Sequence, residues 1–218
     1  MKPRFSHQRN HALTRIEVLS IVAVASLLFC LGIAWLIQAR QRSGSICCNC
    51  NLKQIGLSFR VWEGDHGDKY PMQTSVTNGG TMELANGNTA WINFAIMSNE
   101  LSTPKILICP ADKTRFSATN FTTDFNNNKV SYFVSLDASS DQPEMFLSGD
   151  ENFAVSGIPV KSGLLELSTN IAISWTAARH KFVGNIGLAD GSVEQITTTN
   201  LEQAIQSAGV AKNRLAIP

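Results

Sequence analysis

An uncharged apolar run over residues 18–37 dominates this sequence. Its length, about 20 residues, matches a helix that crosses the ~30 Å hydrocarbon core of a bilayer. A helix also satisfies its backbone polar groups internally, as lipid requires. Glu17 directly precedes the run. Because a carboxylate is costly inside a bilayer, an acid at this position is a candidate functional residue.

The residues in front of the run are short, polar and basic. Residues 1–11 contain Lys2, Arg4 and Arg9 and no acid. Such a segment keeps its end cytoplasmic under the positive-inside rule, and it has the form of a signal-peptide n-region. Residues 38–46, beyond the run, offer no convincing small-x-small cleavage site, whereas a small residue, Ala12, stands before the run.

Residues 12–17, Ala-Leu-Thr-Arg-Ile-Glu, resemble the processing site of type IV prepilins and type II secretion pseudopilins. The family pattern is Gly, then Phe-Thr-Leu-Ile-Glu, then an apolar helix. The residues that match are Thr14, Ile16 and Glu17, and the departures are Ala12 for Gly, Leu13 for Phe and Arg15 for an apolar residue. The resemblance implies that prepilin peptidase cuts between Ala12 and Leu13 and that the new terminus is methylated.

The resemblance also gives Glu17 a role in assembly. In the family this acid meets the new amine of a neighbouring subunit, and a buried carboxylate needs such a cationic partner. The alternative is an ordinary signal anchor, in which Arg15 or interfacial water neutralises Glu17.

Length and charge limit the remaining classes of function. The chain has 218 residues and a net charge of +1. Without the leader and the apolar helix, roughly 180 residues remain, enough for one domain with a hydrophobic core. A net charge near zero gives no indication of a nucleic-acid partner, and no period of 20–50 residues indicates a repeat architecture.

The helix is expected to continue beyond the apolar run. Residues 51–59, Asn-Leu-Lys-Gln-Ile-Gly-Leu-Ser-Phe, resemble the Asn-Leu-Lys-Gln-Ile-Gly run of a large bacterial branch of pseudopilin-like proteins. Apolar residues keep a helical spacing to Trp62, and Gly64, Gly67 and Pro71 then end the helix. We predict one helix from about residue 13 to residue 63, with its second half over residues 46–63. In the pilin fold that half packs on a sheet.

The second half of the chain is predicted to be rich in strands. Candidate strands cover residues 130–136, 144–150 and 170–175, and Asp190-Gly191 forms a hairpin between residues 185–189 and 192–196. Residues 72–90 are expected to form a loop or short hairpin, and short helices are expected over residues 91–97 and 201–208. The expected fold is α+β and pilin-like: one long N-terminal helix, membrane-spanning in its first half, packed on an antiparallel β-sheet. The expected parts are a leader (1–12), a transmembrane and assembly half-helix (13–38) and a pilin-like domain (39–218).

Five cysteines raise the question of metal or disulfide chemistry. The spacing of Cys48 and Cys50 is too tight for a zinc pair, and Cys109 has no second ligand close by in the sequence, so we predict no metal ligand. Residues 104–112 resemble the Leu-x-Cys-Pro-x-Asp element of the same bacterial branch. That resemblance implies a disulfide between Cys109 and Cys48, which stands four residues before Leu52, as in the branch. The alternative is that all the thiols stay free.

His180 is followed after nine residues by Asp190-Gly191, and this His-x9-Asp-Gly spacing is a mark of the same bacterial branch. As chemistry, His180 and Asp190 would be a base and its orienter, or two metal ligands. No Ser or Cys stands in a recognisable nucleophile context. The structural alternative is favoured: Asp190 accepts hydrogen bonds in the turn, and His180 bonds to a neighbouring backbone group.

The same resemblance allows a calcium site, because some pseudopilins carry one. The candidate positions are Asp190 and the loop of Asp65 and Asp68, but neither has an oxygen-rich ligand spacing. We therefore predict no cofactor and no metal residue.

The expected function is that of a structural subunit and not of an enzyme. The resemblance implies a pseudopilin-like subunit of a type II secretion system or a type IV pilus-like filament. Its partners would be further copies of itself, other pseudopilins, prepilin peptidase and the inner-membrane assembly platform. It would span the inner membrane once, with its N-terminus cytoplasmic and its C-terminal domain periplasmic. The alternatives are an uncleaved, membrane-anchored periplasmic binding module and a tethered hydrolase built on His180.

Overall fold

A computed structural model describes residues 14–84, 89–168, 171–207 and 212–218. The expected leader, residues 1–12, and the expected cut between Ala12 and Leu13 lie outside the described residues. The chain divides after Arg42 into two compact units, residues 1–42 and 43–218.

The first unit contains the beginning of helix α1, Arg15–Asp65. Its apolar side chains are exposed over this part: Leu19, Leu27 and Leu36 are all more than 60% exposed. Among the described residues, α1 is the one helix long and apolar enough to cross a membrane, and none of its most apolar window is buried within the protein. The exposed apolar surface is what a bilayer would cover.

The beginning of α1 is held by a reciprocal capping arrangement. The Thr14 hydroxyl accepts a hydrogen bond from the Glu17 backbone N–H at 3.4 Å, and Glu17 Oε2 accepts one from the Thr14 backbone N–H at 2.7 Å. A Thr followed three residues later by Glu satisfies two otherwise unpaired N–H groups at a helix start. The helix therefore begins at Arg15, two residues after the expected start.

The second part of α1 belongs to the second unit and packs on its sheet. Leu52, Ile55, Phe59 and Trp62 recur every three or four residues and are at most 2% exposed. Leu57, on the opposite face, is 63% exposed. This spacing places one apolar stripe against the core.

The helix ends at Asp65, two residues beyond the expected end. The backbone of Gly67 has a φ of +68°, a conformation that glycine adopts without strain. His66 Nδ1 lies 2.7 Å from the Trp62 carbonyl oxygen, so the side chain reaches back to the last turn.

Nine described strands follow, all paired antiparallel. Their bounds are β1 Tyr132–Ser135, β2 Phe146–Asp150, β3 Phe153–Val155, β4 Ile158–Pro159, β5 Gly163–Ser168, β6 Ile173–Trp175, β7 Val183–Leu188, β8 Val193–Thr197 and β9 Lys212–Ile217. A six-stranded sheet has the order β5-β9-β1-β2-β7-β8, and a small sheet has the order β4-β3-β6. The described helices after α1 are α2 Ala90–Ala95, α3 Ser98–Leu101 and α4 Thr198–Ser207. The predicted α+β architecture, a long helix packed on an antiparallel sheet, is confirmed.

The central strands β1 and β2 of the larger sheet are buried on both faces, since successive side chains of a strand point to opposite sides. Tyr132 and Val134 of β1 join the core under α1. Phe133, between them, joins a second core with Trp175 and with Leu201 of α4. This explains why residues 130–136 alternate only partially between apolar and polar.

Several predicted elements are present and others were missed. The three predicted strands correspond to β1, β2 and β6, and β7 and β8 form the hairpin around Asp190-Gly191. Strands β3, β4, β5 and β9 were not predicted. The predicted loop over residues 72–90 contains short 3₁₀ turns where it is described, at Pro71–Gln73, Val76–Asn78 and Met82–Leu84.

Candidate functional site

A buried cluster of four potential ligands lies between α1 and the strands. Its members are Cys48, Cys109, Asp150 and His180, and their donor atoms all lie within 4.8 Å of one another. The first three side chains belong to residues that are completely buried, and His180 is 8% exposed. We call these four residues the Cys-Asp-His cluster.

Cys48 comes from α1, one turn before Leu52 on the same buried stripe. Its Sγ donates a hydrogen bond to Asp150 Oδ1 at 3.1 Å and lies 3.2 Å from the Tyr132 hydroxyl. Its neighbours Cys47 and Cys50 are exposed. Because the buried face of the helix recurs every three or four residues, Cys48 lies on it and Cys47 and Cys50 do not.

Cys109 follows a short 3₁₀ helix, Pro104–Leu107. Its carbonyl oxygen accepts a hydrogen bond from the Asp112 N–H at 2.8 Å, which closes a turn behind it. Its Sγ lies 3.2 Å from His180 Nε2. Cys109 has no second potential ligand close by in the sequence, but folding brings His180 to it across 71 residues.

Asp150 is the last residue of β2. Its Oδ2 accepts two hydrogen bonds from Asn185, from the backbone N–H at 2.9 Å and from Nδ2 at 2.8 Å. Oδ1 is the oxygen that faces the Cys48 sulfur. Asn185 thus fixes the orientation of the carboxylate from the neighbouring strand β7.

His180 lies in the connection between β6 and β7. Its Nε2 is 3.4 Å from Asp150 Oδ2. The next two residues, Lys181 and Phe182, have φ values of +54° and +64°, a left-handed conformation that non-glycine residues rarely adopt. The backbone is therefore strained directly after the histidine.

The environment shifts the pKa values of the cluster in different directions. Burial raises the pKa of the Cys48 thiol far above its usual range. A hydrogen bond with Cys48 lowers the pKa of Cys109 to about 6, with burial opposing that shift and the hydrogen bond with His180 reinforcing it. Burial lowers the pKa of His180, but the contact with Cys109 and the charge of Asp150 outweigh burial, so the net shift is upward. The cluster therefore favours one thiolate close to an imidazole.

A network of ion pairs surrounds the cluster. Arg179 Nη2 lies 2.7 Å from Asp112 Oδ2 and 2.8 Å from Glu151 Oε1, and Arg115 also pairs with both acids. Arg179 precedes His180, Glu151 follows Asp150, and Asp112 closes the turn at Cys109. The network thus braces the backbone beside three of the four cluster residues.

The predicted His180–Asp190 arrangement is different from the observed one. Asp190 lies in the exposed hairpin turn, where its Oδ1 accepts a hydrogen bond from the Ser192 N–H at 2.7 Å and Gly191 has a φ of +86°. This is the turn role expected for Asp190. The His180 side chain contacts Cys109 and Asp150 through Nε2, whereas a bond to a neighbouring backbone group was expected.

The predicted disulfide is not formed in the structure, where both Cys48 and Cys109 are free thiols. Their sulfur atoms lie within 4.8 Å of each other, and the pairing stays a prediction. Glu17 lies at the start of α1 in the capping arrangement already described. Asp150 was missed by sequence reasoning. The signal that points to it is an acid at the end of an otherwise apolar and small strand, Phe146–Asp150.

Comparisons of the chain with protein-family models, with curated proteins and with solved structures gave no match.

Proposed function

We propose that this chain is a pseudopilin-like structural subunit of a type II secretion system or of a related type IV pilus-like filament. In this proposal prepilin peptidase removes residues 1–12, the new terminus is methylated, and subunits polymerise from an inner-membrane platform. The chain then acts by assembly with copies of itself and with other pseudopilins, and not as an enzyme.

The observation that carries the proposal is that the two parts of α1 have different surroundings. Its first part is exposed and apolar, with an acid at its beginning, and its second part packs under an antiparallel sheet. A helix of the first kind is suited to lipid before assembly and to a core of neighbouring helices afterwards. Because both environments are poor in water, the charge of Glu17 needs a partner in each.

The exposure of Glu17 in the single chain supports a role in which it meets an incoming amine. In the single chain its carboxylate accepts hydrogen bonds from the Thr14 backbone N–H at 2.7 Å and from the Thr14 hydroxyl at 2.8 Å. Neither donor carries a charge. The amine of another subunit offers a charge-assisted hydrogen bond, which is stronger than a neutral one.

The first test is the N-terminal sequence of the protein recovered from membranes. We expect the mature chain to start at Leu13 with a methylated amine. Ala12→Leu should block the cut, because the peptidase must accept the side chain before the scissile bond. Ala34→Leu, which adds the same side chain within the apolar run, should be cut normally.

A start at Met1 in the parent protein, or normal processing of Ala12→Leu, would contradict the proposed cut. A start at Met1 would instead support an uncleaved, membrane-anchored binding module.

A further inference from the structure

We propose that the Cys-Asp-His cluster is a structural site for a divalent transition metal, with zinc as the ion that its donors suit best. The inference rests on the geometry of the second unit and does not depend on filament assembly.

The donor set matches zinc chemistry. Zinc is bound in proteins by Cys sulfur, His nitrogen and Asp or Glu oxygen, in structural sites almost always by four ligands in a tetrahedron. The cluster offers two sulfurs, one imidazole nitrogen and one carboxylate. Thiolates disfavour hard ions such as calcium and magnesium, which prefer oxygen ligands alone.

The distances between the donor atoms are close to those of a zinc tetrahedron. Bond lengths of about 2.0–2.3 Å place neighbouring ligand atoms about 3.3–3.8 Å apart. Cys48 Sγ lies 3.1 Å from Asp150 Oδ1, and Cys109 Sγ lies 3.2 Å from His180 Nε2. His180 Nε2 lies 3.4 Å from Asp150 Oδ2. The other separations are at most 4.8 Å, so shifts of up to about 1 Å would bring the donor atoms to the spacing of a zinc tetrahedron.

Outer contacts orient the ligands as they do in metal sites. Asn185 holds Asp150 Oδ2 with two hydrogen bonds, which leaves Oδ1 toward the Cys48 sulfur. The Tyr132 hydroxyl lies 3.2 Å from that sulfur and can donate to its thiolate. Such partners fix the ligand orientation and strengthen binding.

The burial of all four ligands indicates a closed, structural site and not a catalytic one. A catalytic zinc keeps a position open to water or substrate, whereas these ligands are at most 8% exposed. They come from α1, from the turn after Pro104–Leu107, from β2 and from the β6–β7 connection. An ion here would join the helix to three separate parts of the second unit.

A Cys48–Cys109 disulfide is the competing state of the same pocket. It would remove both thiolates as ligands and leave Asp150 and His180 without a metal. The two states therefore exclude each other, and they differ in their need for His180, since a disulfide does not require it.

The test is metal analysis of the full-length protein, purified in detergent without chelator. We expect about one zinc per chain and, after exchange with cobalt(II), the visible spectrum of tetrahedral cobalt with thiolate ligands. Cys48→Ser and His180→Gln should each abolish the stoichiometric zinc. Cys47→Ser and Cys50→Ser, which change exposed cysteines on the same helix, should leave it unchanged.

A milder variant tests the site without removing a ligand. Asn185→Ala should lower the affinity for zinc about 10–100-fold in competition with a chelator, as is typical for the loss of an outer partner. The parent protein's cobalt spectrum needs no variant and so does not depend on how the variants fold. The absence of that spectrum, or a Cys48–Cys109 linkage in a non-reduced digest of the protein as purified without chelator, would overturn the proposal.

Discussion

At the scale of single residues, Asp112 carries much of the electrostatic organisation beside the cluster. Its Oδ2 pairs with Arg179 at 2.7 Å and accepts a hydrogen bond from the Ser131 hydroxyl at 2.8 Å, and its Oδ1 accepts bonds from Thr114. Burial acts to raise the pKa of Asp112, but Arg179 and these donors outweigh it and lower the pKa to about 2. The carboxylate is therefore charged at neutral pH and stabilises the folded state.

Asp112→Asn should lower the free energy of unfolding by about 3 kcal/mol at neutral pH, because it removes one partner of a buried ion pair. The measurement is urea unfolding of the full-length protein in detergent, followed by tryptophan fluorescence. Asp65→Asn, at an exposed acid, is the matched control and should change the free energy by less than about 0.5 kcal/mol.

The pH dependence gives the same prediction an independent check. The pKa of Asp112 is lower in the folded state than its usual 3.8, so its contribution is fully present above that pH and is lost as the pH falls toward about 2. The difference in the free energy of unfolding between the parent and Asp112→Asn should become smaller as the pH falls over this range. A difference that stays constant down to pH 2 would show that charge is not its cause.

At the scale of elements, the packing of β7 against β6 depends on a missing side chain. A Cβ added at Gly184 would lie 2.3 Å from ring atoms of Trp175, closer than any real contact. Trp175 is itself buried and contacts Phe153 edge to face. The ring therefore fills the space above the glycine and cannot move aside cheaply.

Gly184→Ala should lower the free energy of unfolding by about 1–3 kcal/mol, the usual cost of overpacking a core. Gly64→Ala is the matched control, because it places the same methyl group in open space on α1. That variant should be neutral or stabilising by up to about 1 kcal/mol, since alanine favours helix more than glycine. Equal effects of the two substitutions in urea unfolding would show that contact with Trp175 is not limiting.

The elements that the sequence predicts well are those whose local pattern coincides with their packing. The apolar stripe of α1 and the Asp190-Gly191 hairpin are of this kind. Strand β9, Lys212–Ile217, was missed because its sequence has no regular alternation of apolar and polar residues. Its pairing with β1 and β5 stabilises the strand instead. The capping role of Glu17 was overlooked, although Thr14 three residues earlier gives its local signal.

At the scale of the whole molecule, the candidate site is a product of topology and not of sequence spacing. Cys48 and Asp150 are 102 residues apart, and Cys109 and His180 are 71 apart. No local motif joins them, so sequence reasoning could identify His180 and the cysteines but could not place Asp150 beside them. The buried hydrogen-bond partners of that acid become visible only in the folded sheet.

The proposed function depends on polymerisation, a property of the whole molecule, and in this proposal polymerisation requires the charge of Glu17. Glu17→Gln separates the two roles of this residue, because glutamine keeps the capping arrangement with Thr14 but carries no charge. Glu17→Ala removes both.

The deciding measurement is the yield of sheared filaments relative to membrane-inserted protein for the parent, Glu17→Gln and Glu17→Ala. Both variants should insert as well as the parent, because each removes a charge from the edge of the apolar segment. Both should lose at least about tenfold in filament yield, because the incoming amine then has no anionic partner. A Glu17→Gln yield equal to that of the parent would contradict the proposal that this charge joins neighbouring subunits.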